Sequence, residues 1–253
     1  MPTIVLPDSV RNCYLFSGMA EQEKNELLIN GHIRSYAKGE YLFRHGDPIR
    51  HFYILCSGTV QLMRQTPDGR QFTTGVIVAG RSIGETKIFS LIHEHQLNAI
   101  AVEDTAAIQL SMALVKENAK KHSMLALNLL TELSQQAHLA SVDAEHQATM
   151  TAAQRVACFF QQLCILHNAD PAGFELPYSK ALIASRLGIE PETFSRVLVK
   201  IREFGITVSG TRVSIKDLNV IEQYVCDFCS IADECPEHKA LERKMHPKPD
   251  YGT

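Results

Sequence analysis

The chain lacks any apolar run near the roughly 18 residues that a membrane-spanning helix needs. Its first residues, Met1-Pro2-Thr3-Ile4-Val5-Leu6-Pro7-Asp8, lack the basic start and long apolar core of a secretory leader. Both absences lead us to expect a cytoplasmic protein with no membrane partner. Strong net charge is missing too, since 25 Lys and Arg against 28 Asp and Glu give −3. No overall basicity advertises a nucleic acid, but binding needs only a local basic face. The segment 179–216 holds seven Lys or Arg against three Glu, a local balance of +4. Seven irregularly spaced cysteines offer no even framework and speak against a disulfide scaffold. No internal repeat, low-complexity tract, nucleophile–base set or phosphate-cradling loop stands out. An enzyme is therefore not expected.

The 253 residues, 45% hydrophobic and 21% charged, suffice for two modest folded domains. Apolar residues at helical spacing (Leu15, Met19, Leu27, Leu28) predict a short helical lead-in over 13–33. The pattern then changes. Between Ile33 and Leu110, short apolar runs such as 53–55, 60–63 and 74–78 are punctuated by turn residues, among them Lys38-Gly39, Ser57-Gly58 and Pro67-Asp68-Gly69-Arg70. Many short strands with turns at this spacing suggest a small barrel or double-sheet jelly roll. From Ser123 to Gln147 neither Gly nor Pro occurs, and Ala126, Leu130, Leu133, Ala137, Ala140, Ala144 and Gln147 recur at alternating steps of four and three. That thin stripe reads as a coiled-coil seam for a second copy, although an isolated helix could bury the same stripe in its own chain.

A further helix is predicted over 152–167, followed by a loop at 168–173. Ser179 can then cap a helix that closes at Gly188, and Pro191 suits the first position of the next one. Ile183, Ala184, Leu187, Ile189, Val197 and Leu198 would hold the two short helices together. The second would present Glu192, Thr193, Ser195, Arg196 and Lys200, with Ser179 and Lys180 at the start of the first. In a major groove, Arg196 can donate bidentately to guanine and Glu192 can accept from cytosine N4. The alternating segment 205–215 reads as the hairpin of a wing. A generic two-helix corner with a solvated charged face is the blander reading of the same residues.

With these motifs in order, the chain resembles the CRP/FNR superfamily over residues 13–222. The resemblance rests on Leu15-Phe16-Ser17-Gly18-Met19, the run from Tyr36 to Pro48 that includes Lys38-Gly39-Glu40, the run from Phe52 to Val60, Pro67-Asp68-Gly69-Arg70 and Ile83-Gly84-Glu85. It implies an α+β fold: a cyclic-nucleotide-binding-like β-barrel (1–120), a long dimerisation helix (121–149), a winged helix-turn-helix (150–222) and a cysteine-containing tail (223–253). It also implies a homodimer that reads palindromic double-stranded DNA and acts through RNA polymerase. Glu192-Thr193-Phe194-Ser195-Arg196 matches the Glu-x-x-Ser-Arg signature of FNR-type recognition helices, which implies TTGAT-like half-sites. Phe194 stands where the family usually has a smaller branched residue. Cyclic-nucleotide binders of the family clamp the phosphate with an Arg-Ser or Arg-Thr pair. Here His95-Gln96 take that place, so the guanidinium's bidentate grip is missing and cAMP is not the expected effector.

Cys226, Cys229 and Cys235 crowd into ten residues. On a helix begun near Lys216-Asp217, the first two lie one turn apart, about 5–6 Å between side chains. Thiolates at this spacing suit an iron–sulfur cluster or zinc, while a metal-free thiol switch or a surface cluster with no role are further readings. Cys235-Pro236 is similar to the close of ferredoxin runs. The arrangement resembles the bacillus-type FNR regulators, which implies a [4Fe-4S] cluster on the three cysteines and Asp143 as fourth ligand. Asp233, His238 and His246 compete for that place. The expected function is an oxygen, redox or nitric oxide sensor whose cluster ties the tail to the dimer helix. The alternative is a regulator gated by a small organic effector, with zinc or a thiol switch in the tail. Cys56 is expected in the barrel core, Cys158 and Cys164 as buried helix cysteines, and His93 and His95, near the effector pocket, as solvated loop residues rather than haem ligands.

Overall fold

The run Phe52-Tyr53-Ile54-Leu55-Cys56 is buried at every position because both faces of its strand are covered. The computed structural model, which describes residues 7–69, 71–167, 170, 173–226, 229, 230, 232 and 235, divides into two compact units, Met1–His138 and Leu139–Thr253. In the first, helices α1 (Asp8–Arg11) and α2 (Glu21–Leu28) precede strands β1 (His32–Tyr36), β2 (Tyr41–Phe43), β3 (His51–Ser57) and β4 (Thr59–Gln65). Strands β5 (Gln71–Val78), β6 (Ser82–Ile83), β7 (Asn98–Ala101) and β8 (Thr105–Ser111) follow. They pair antiparallel in two sheets, ordered β1-β8-β3-β6 and β2-β7-β4-β5. Alternation along β3 sends Tyr53 and Leu55 between the sheets, where they meet Tyr36, Val60, Ile83 and Ala99. Phe52, Ile54 and Cys56 point the other way, into a cluster with Leu15, Leu27 and Leu110 beneath the helices. The jelly-roll barrel anticipated from the turn spacing is present, but Cys56 serves its helix-covered outer face rather than its interior.

The lead-in is broken rather than continuous, because Gly18 at φ 68° separates a 3-10 turn at Tyr14–Phe16 from α2. After β8 come α3 (Met112–Lys121) and the long α4 (Ser123–Thr149), within which the boundary between units falls. Leu125, Asn128, Leu129 and Glu132 form the buried face of α4. The Asn128 amide there donates to the carbonyls of Leu15 (2.9 Å) and Ser17 (2.8 Å). The seam residues occupy another face. Leu130, Ala137, Ala140, Ala144 and Gln147 are exposed, and Ala126 and Leu133 are half-buried.

The second unit is built on α5 (Ala152–Leu166), which opens with a reciprocal cap. Gln154 N donates to Thr151 Oγ1 at 3.3 Å, and Thr151 N donates to Gln154 Oε1 at 2.9 Å. Then follow β9 (Phe174–Glu175), α6 (Lys180–Arg186), α7 (Pro191–Lys200), β10 (Ile206–Ser209), β11 (Arg212–Ile215) and α8 (Leu218–Cys226), with sheet order β10-β11-β9. Phe160, Val156, Ile183, Ile201, Ile206, Val213 and Ile221 gather at its centre, each fully buried. Of the loop expected at 168–173, only residues 170 and 173 are described. Arg70 of the expected hairpin tip lies outside the described residues. Among those described, no helix is long and apolar enough to cross a membrane.

The β3–β4 turn hinges on Gly58, at φ 80°, where a Cβ would meet Thr105 Oγ1 and lie 2.7 Å from the Asp104 carbonyl. Gly69, at φ 87°, faces open space. Strain at such positions costs about 1–3 kcal/mol each. Gly58→Ala should therefore lower the urea midpoint of the first unit clearly more than Gly69→Ala, because it adds a collision to the backbone cost. Unfolding followed by intrinsic fluorescence and circular dichroism measures the difference.

His95, expected in solvent, is instead buried and stacked on Phe43 with ring centroids 3.6 Å apart. His93 is exposed, as expected. Burial, reinforced by Lys87, pushes the His95 imidazole down to about 4. A depressed folded value favours the neutral ring, so its contribution to stability is complete above the ordinary value of 6.5 and is lost as pH falls toward 4. Thermal midpoints should decline over that window in the wild type and decline less in His95→Leu. Parallel melting curves from pH 7 to pH 4 test this.

Candidate nucleic-acid interface and cysteine site

Ser179 Oγ accepts from Leu182 N at 3.3 Å and starts α6, while Gly188 at φ 64° ends the first segment. Pro191 opens α7 at a position where its missing N–H costs nothing. Between the two helices Ile183, Ala184, Ile189, Phe194 and Val197 are buried. The bulky Phe194 is thus absorbed into the core, 2% exposed, and Ala184 is small where the chain turns. With that side of α7 committed to the interior, its period of 3.6 leaves Glu192, Thr193, Ser195, Arg196 and Lys200 exposed. The Ser195 hydroxyl donates to Pro191 O at 3.0 Å, which leaves its lone pairs able to accept. Ser179 is exposed and Lys180 half-buried at the start of α6. The β10–β11 hairpin turns at Gly210 and pairs Thr207 with Ser214 through their hydroxyls at 2.6 Å. Arg212 reaches Glu175 across the sheet at 3.4 Å.

Helix α8 runs to Cys226, so the first cysteine of the trio is the last residue of a packed helix. Beyond it, three backbone hydrogen bonds link described residues three apart. Cys229 N donates to Cys226 O (3.1 Å), Ala232 N to Cys229 O (3.2 Å) and Cys235 N to Ala232 O (3.2 Å). Bonds of this i→i+3 type repeat every three residues, and 226, 229 and 235 differ by multiples of three. The Gln161 amide, buried on α5, points at Cys226 Sγ from 4.0 Å. Burial pushes the Cys226 thiol up to about 12, and the neighbouring Glu222, Cys235 and Cys229 add to the rise. In the chain alone this sulfur is a protonated thiol.

The end of α4 meets this segment. Glu145 accepts from Ser230 N at 2.9 Å, and the bonds from Ser230 hold its carboxyl below the usual range. His146 Nε2 lies 3.5 Å from Cys229 Sγ, and burial pushes its imidazole below the ordinary 6.5. Asp143 faces elsewhere, paired with Arg186 of α6 at 2.7 Å. Asp233, His238 and His246 lie outside the described residues. Among those described, no three His, Cys, Asp or Glu side chains converge closely enough to hold one metal ion. Cys164 is buried and Cys158 partly buried, both on α5. Sequence reasoning missed His146, Arg186 and Gln161. The available signal for His146 was its place three residues after Asp143, on the same side of α4.

Comparisons with known proteins agree with this architecture. Residues 33–122 match the cyclic nucleotide-binding domain family, and residues 154–224 match the Crp-like helix-turn-helix domain. The chain is 27% identical to the cyclic AMP receptor protein of Thermus thermophilus, over 83% of this chain and 95% of that one. It is 26% identical to the anaerobic regulatory protein of Haemophilus influenzae, over 79% of each. The solved structure of FixK2 from Bradyrhizobium japonicum shares the fold, with a TM-score of 0.66 at 22% identity, covering 77% of this chain and 97% of that one. The two matched domains in this order, with the polar face of α7 turned outward, make the chain a DNA-binding transcription regulator of the CRP/FNR family.

Proposed function

We propose that the chain acts in the cytoplasm as a homodimer on palindromic double-stranded DNA, and that a [4Fe-4S] cluster on Cys226, Cys229 and Cys235 lets oxygen, redox state or nitric oxide set its affinity for that site. The observation that carries this reading is that Cys226 closes α8 against Gln161 of α5 while Cys229 lies 3.5 Å from His146 near the end of α4. The donor type suits the group, since three thiols lie on one short segment and the Gln161 amide is directed at the Cys226 sulfur from 4.0 Å. Amides directed at cluster sulfurs are among the features that tune such centres. When bound, the cluster supplies a centre that oxygen and nitric oxide attack. The protein's own residues convert its presence into geometry. Glu145 and His146 fasten the cysteine segment to α4, and Asp143 fastens α4 to α6 through Arg186. The cysteine layout and an anaerobic regulator among the relatives point the same way.

Dimerisation is supported by the open seam of α4, whose Leu130 is 61% exposed. A twofold pair would cover that stripe and set two copies of α7 against successive grooves. There Arg196 reads guanine, Glu192 accepts from cytosine, Thr193 and Ser195 add adaptable bonds, and Lys200, Ser179 and Lys180 serve the phosphates. RNA polymerase is the partner through which binding alters transcription. Cyclic AMP is not the effector in this reading, since the buried, neutral His95 offers no cation where the family clamps phosphate. One observation favours the second reading, an organic effector in the barrel with zinc in the tail: the Glu85 carboxyl is buried and, among the described residues, its Oε1 has no hydrogen-bond partner.

Arg196→Ala should weaken specific binding by about 1–3 kcal/mol, roughly 5- to 150-fold, and relax base preference at one position of each half-site. Lys200→Ala should weaken binding to all sequences alike and reduce the salt slope by about one unit for each phosphate it no longer neutralises. Titrations of a palindromic duplex and its point variants at several salt concentrations separate the two. Separately, Ser at Cys226, Cys229 or Cys235 should abolish the redox response while the dimer survives. An unchanged response in all three, or stoichiometric zinc in place of iron and sulfide in anaerobically purified protein, would rule out the cluster reading.

A further inference from the structure

We propose that the outer face of the barrel carries a binding site for a small organic monocarboxylate, held in a cavity of about 190 Å³ between the 86–93 loop and the start of α3. Ile49, Ile88, Ile92 and Met112 give the cavity its apolar lining, and Lys87 and Lys116 supply two positive charges. Ile88 and Met112 belong to the cluster beneath the helices, with Ile49 packed against it. The cavity therefore lies across β3 from the space between the sheets, into which Tyr53 and Leu55 point. It is independent of the cysteine segment and of an effector held inside the barrel. Local hydrogen bonds build its loop side. Ile49 N donates to His93 O at 2.9 Å, and Ser90 Oγ accepts from Ile92 N at 3.0 Å. That acceptance leaves the Ser90 hydroxyl hydrogen able to reach an anion.

The charges call for an anion. Lys87 and Lys116 are both half-buried, and among the described residues neither ammonium makes an ion pair or a hydrogen bond. Glu117, the carboxylate next to Lys116 in sequence, is bonded to Lys120 at 2.9 Å. Among the described residues no Asp or Glu lines the cavity. Lys116 Nζ lies 5.6 Å from the centre of the Phe89 ring instead. Partial burial strips water from each ammonium, a cost that charge-assisted bonds to a carboxylate offset. The walls set what the anion must carry. A bare inorganic ion would leave the three isoleucines and Met112 facing water, whereas an alkyl or small aromatic body covers them. The same loop exposes Phe89 (59%) and Leu91 (93%) beside lining residues, which adds an apolar lip. The volume is about six times the roughly 30 Å³ share of one liquid water and below the roughly 300 Å³ where drug-sized sites begin. An acid of about six to ten non-hydrogen atoms suits it. Lys87 ends the 3-10 turn that starts at Glu85, and Glu85 Oε2 accepts from Gln136 of α4 at 3.5 Å. The occupant thus adjoins a turn by which the barrel touches α4.

The test titrates the full chain calorimetrically with hexanoate, hexanamide, hexylamine and inorganic phosphate. Hexanoate should bind one per chain, and hexanamide and hexylamine at least about tenfold more weakly, the factor a charge-assisted bond commonly contributes. Lys87→Gln and Lys116→Gln should each weaken hexanoate about tenfold. Lys120→Gln, at the paired lysine of the same helix, should leave its binding unchanged. Ala113→Phe, at an exposed residue of the lining, should fill the cavity and abolish binding while the melting temperature of the ligand-free chain is kept. Should that variant fail to fold, the two glutamine variants carry the same test. Hexanamide or phosphate binding as tightly as hexanoate overturns the site. Hexanoate binding that survives Ala113→Phe, or that neither glutamine variant weakens, does so too. Absence of hexanoate binding overturns it as well, as does capture of the chain by phosphatidylglycerol vesicles without binding of the free acid, which would mark a lipid surface.

Discussion

Everything the second unit presents to its surroundings depends on apolar packing around Phe160. That ring and Val156 on α5 meet Ile183 of α6, Val197 of α7, Ile206 and Val213 of the hairpin, and Ile221 and Val225 of α8. Burying large aliphatic and aromatic side chains together stabilises by about 1.5–3 kcal/mol each relative to exposure. One core therefore fixes two consequences at once. It turns the polar face of α7 outward, and it delivers Cys226 at the end of α8 to the flank of α5.

Helix α4 illustrates how one sequence can serve several neighbours. Its buried face carries Leu125, Asn128, Leu129 and Glu132, and Asn128 satisfies two carbonyls of the lead-in. The stripe with the four-and-three repeat lies on another face and stays open. Near its end, Asp143, Glu145 and His146 each find a different partner in the second unit. These contacts join both the cysteine segment and α6 to the same end of one helix. An exposed ion pair alone would contribute little, since such pairs are commonly worth under about 1 kcal/mol. Their value here is orientation.

The electrostatics of the cysteine segment and of the barrel share a cause. Burial disfavours charge, so Cys226 holds its proton and His95 sheds its own. A thiol raised in this way is a poor nucleophile and becomes a thiolate when a positive centre replaces the proton. The same reasoning leaves the stacked His95 ring as packing rather than as a cation for a phosphate. In Glu85 the barrel keeps one buried carboxyl oxygen without a partner among the described residues, a feature that packing alone does not require.

The sequence by itself determined the order of elements, the barrel, the two reading helices with their cap and proline, and the exposed set on α7. Those features follow from local rules: alternation, helical period, Gly at positive φ, and Pro where no N–H is needed. It also placed the cysteine trio. What escaped it were partners brought together from distant positions. Cys56 faces helices and His95 lies under Phe43. Asp143 pairs with Arg186 across 43 residues of chain, and His146 meets Cys229 across 83. Periodicity tells which side of an element is apolar, but not which element covers it. Only tertiary packing decides that, because the choice among equally apolar or equally polar neighbours is made by the shape of the whole core.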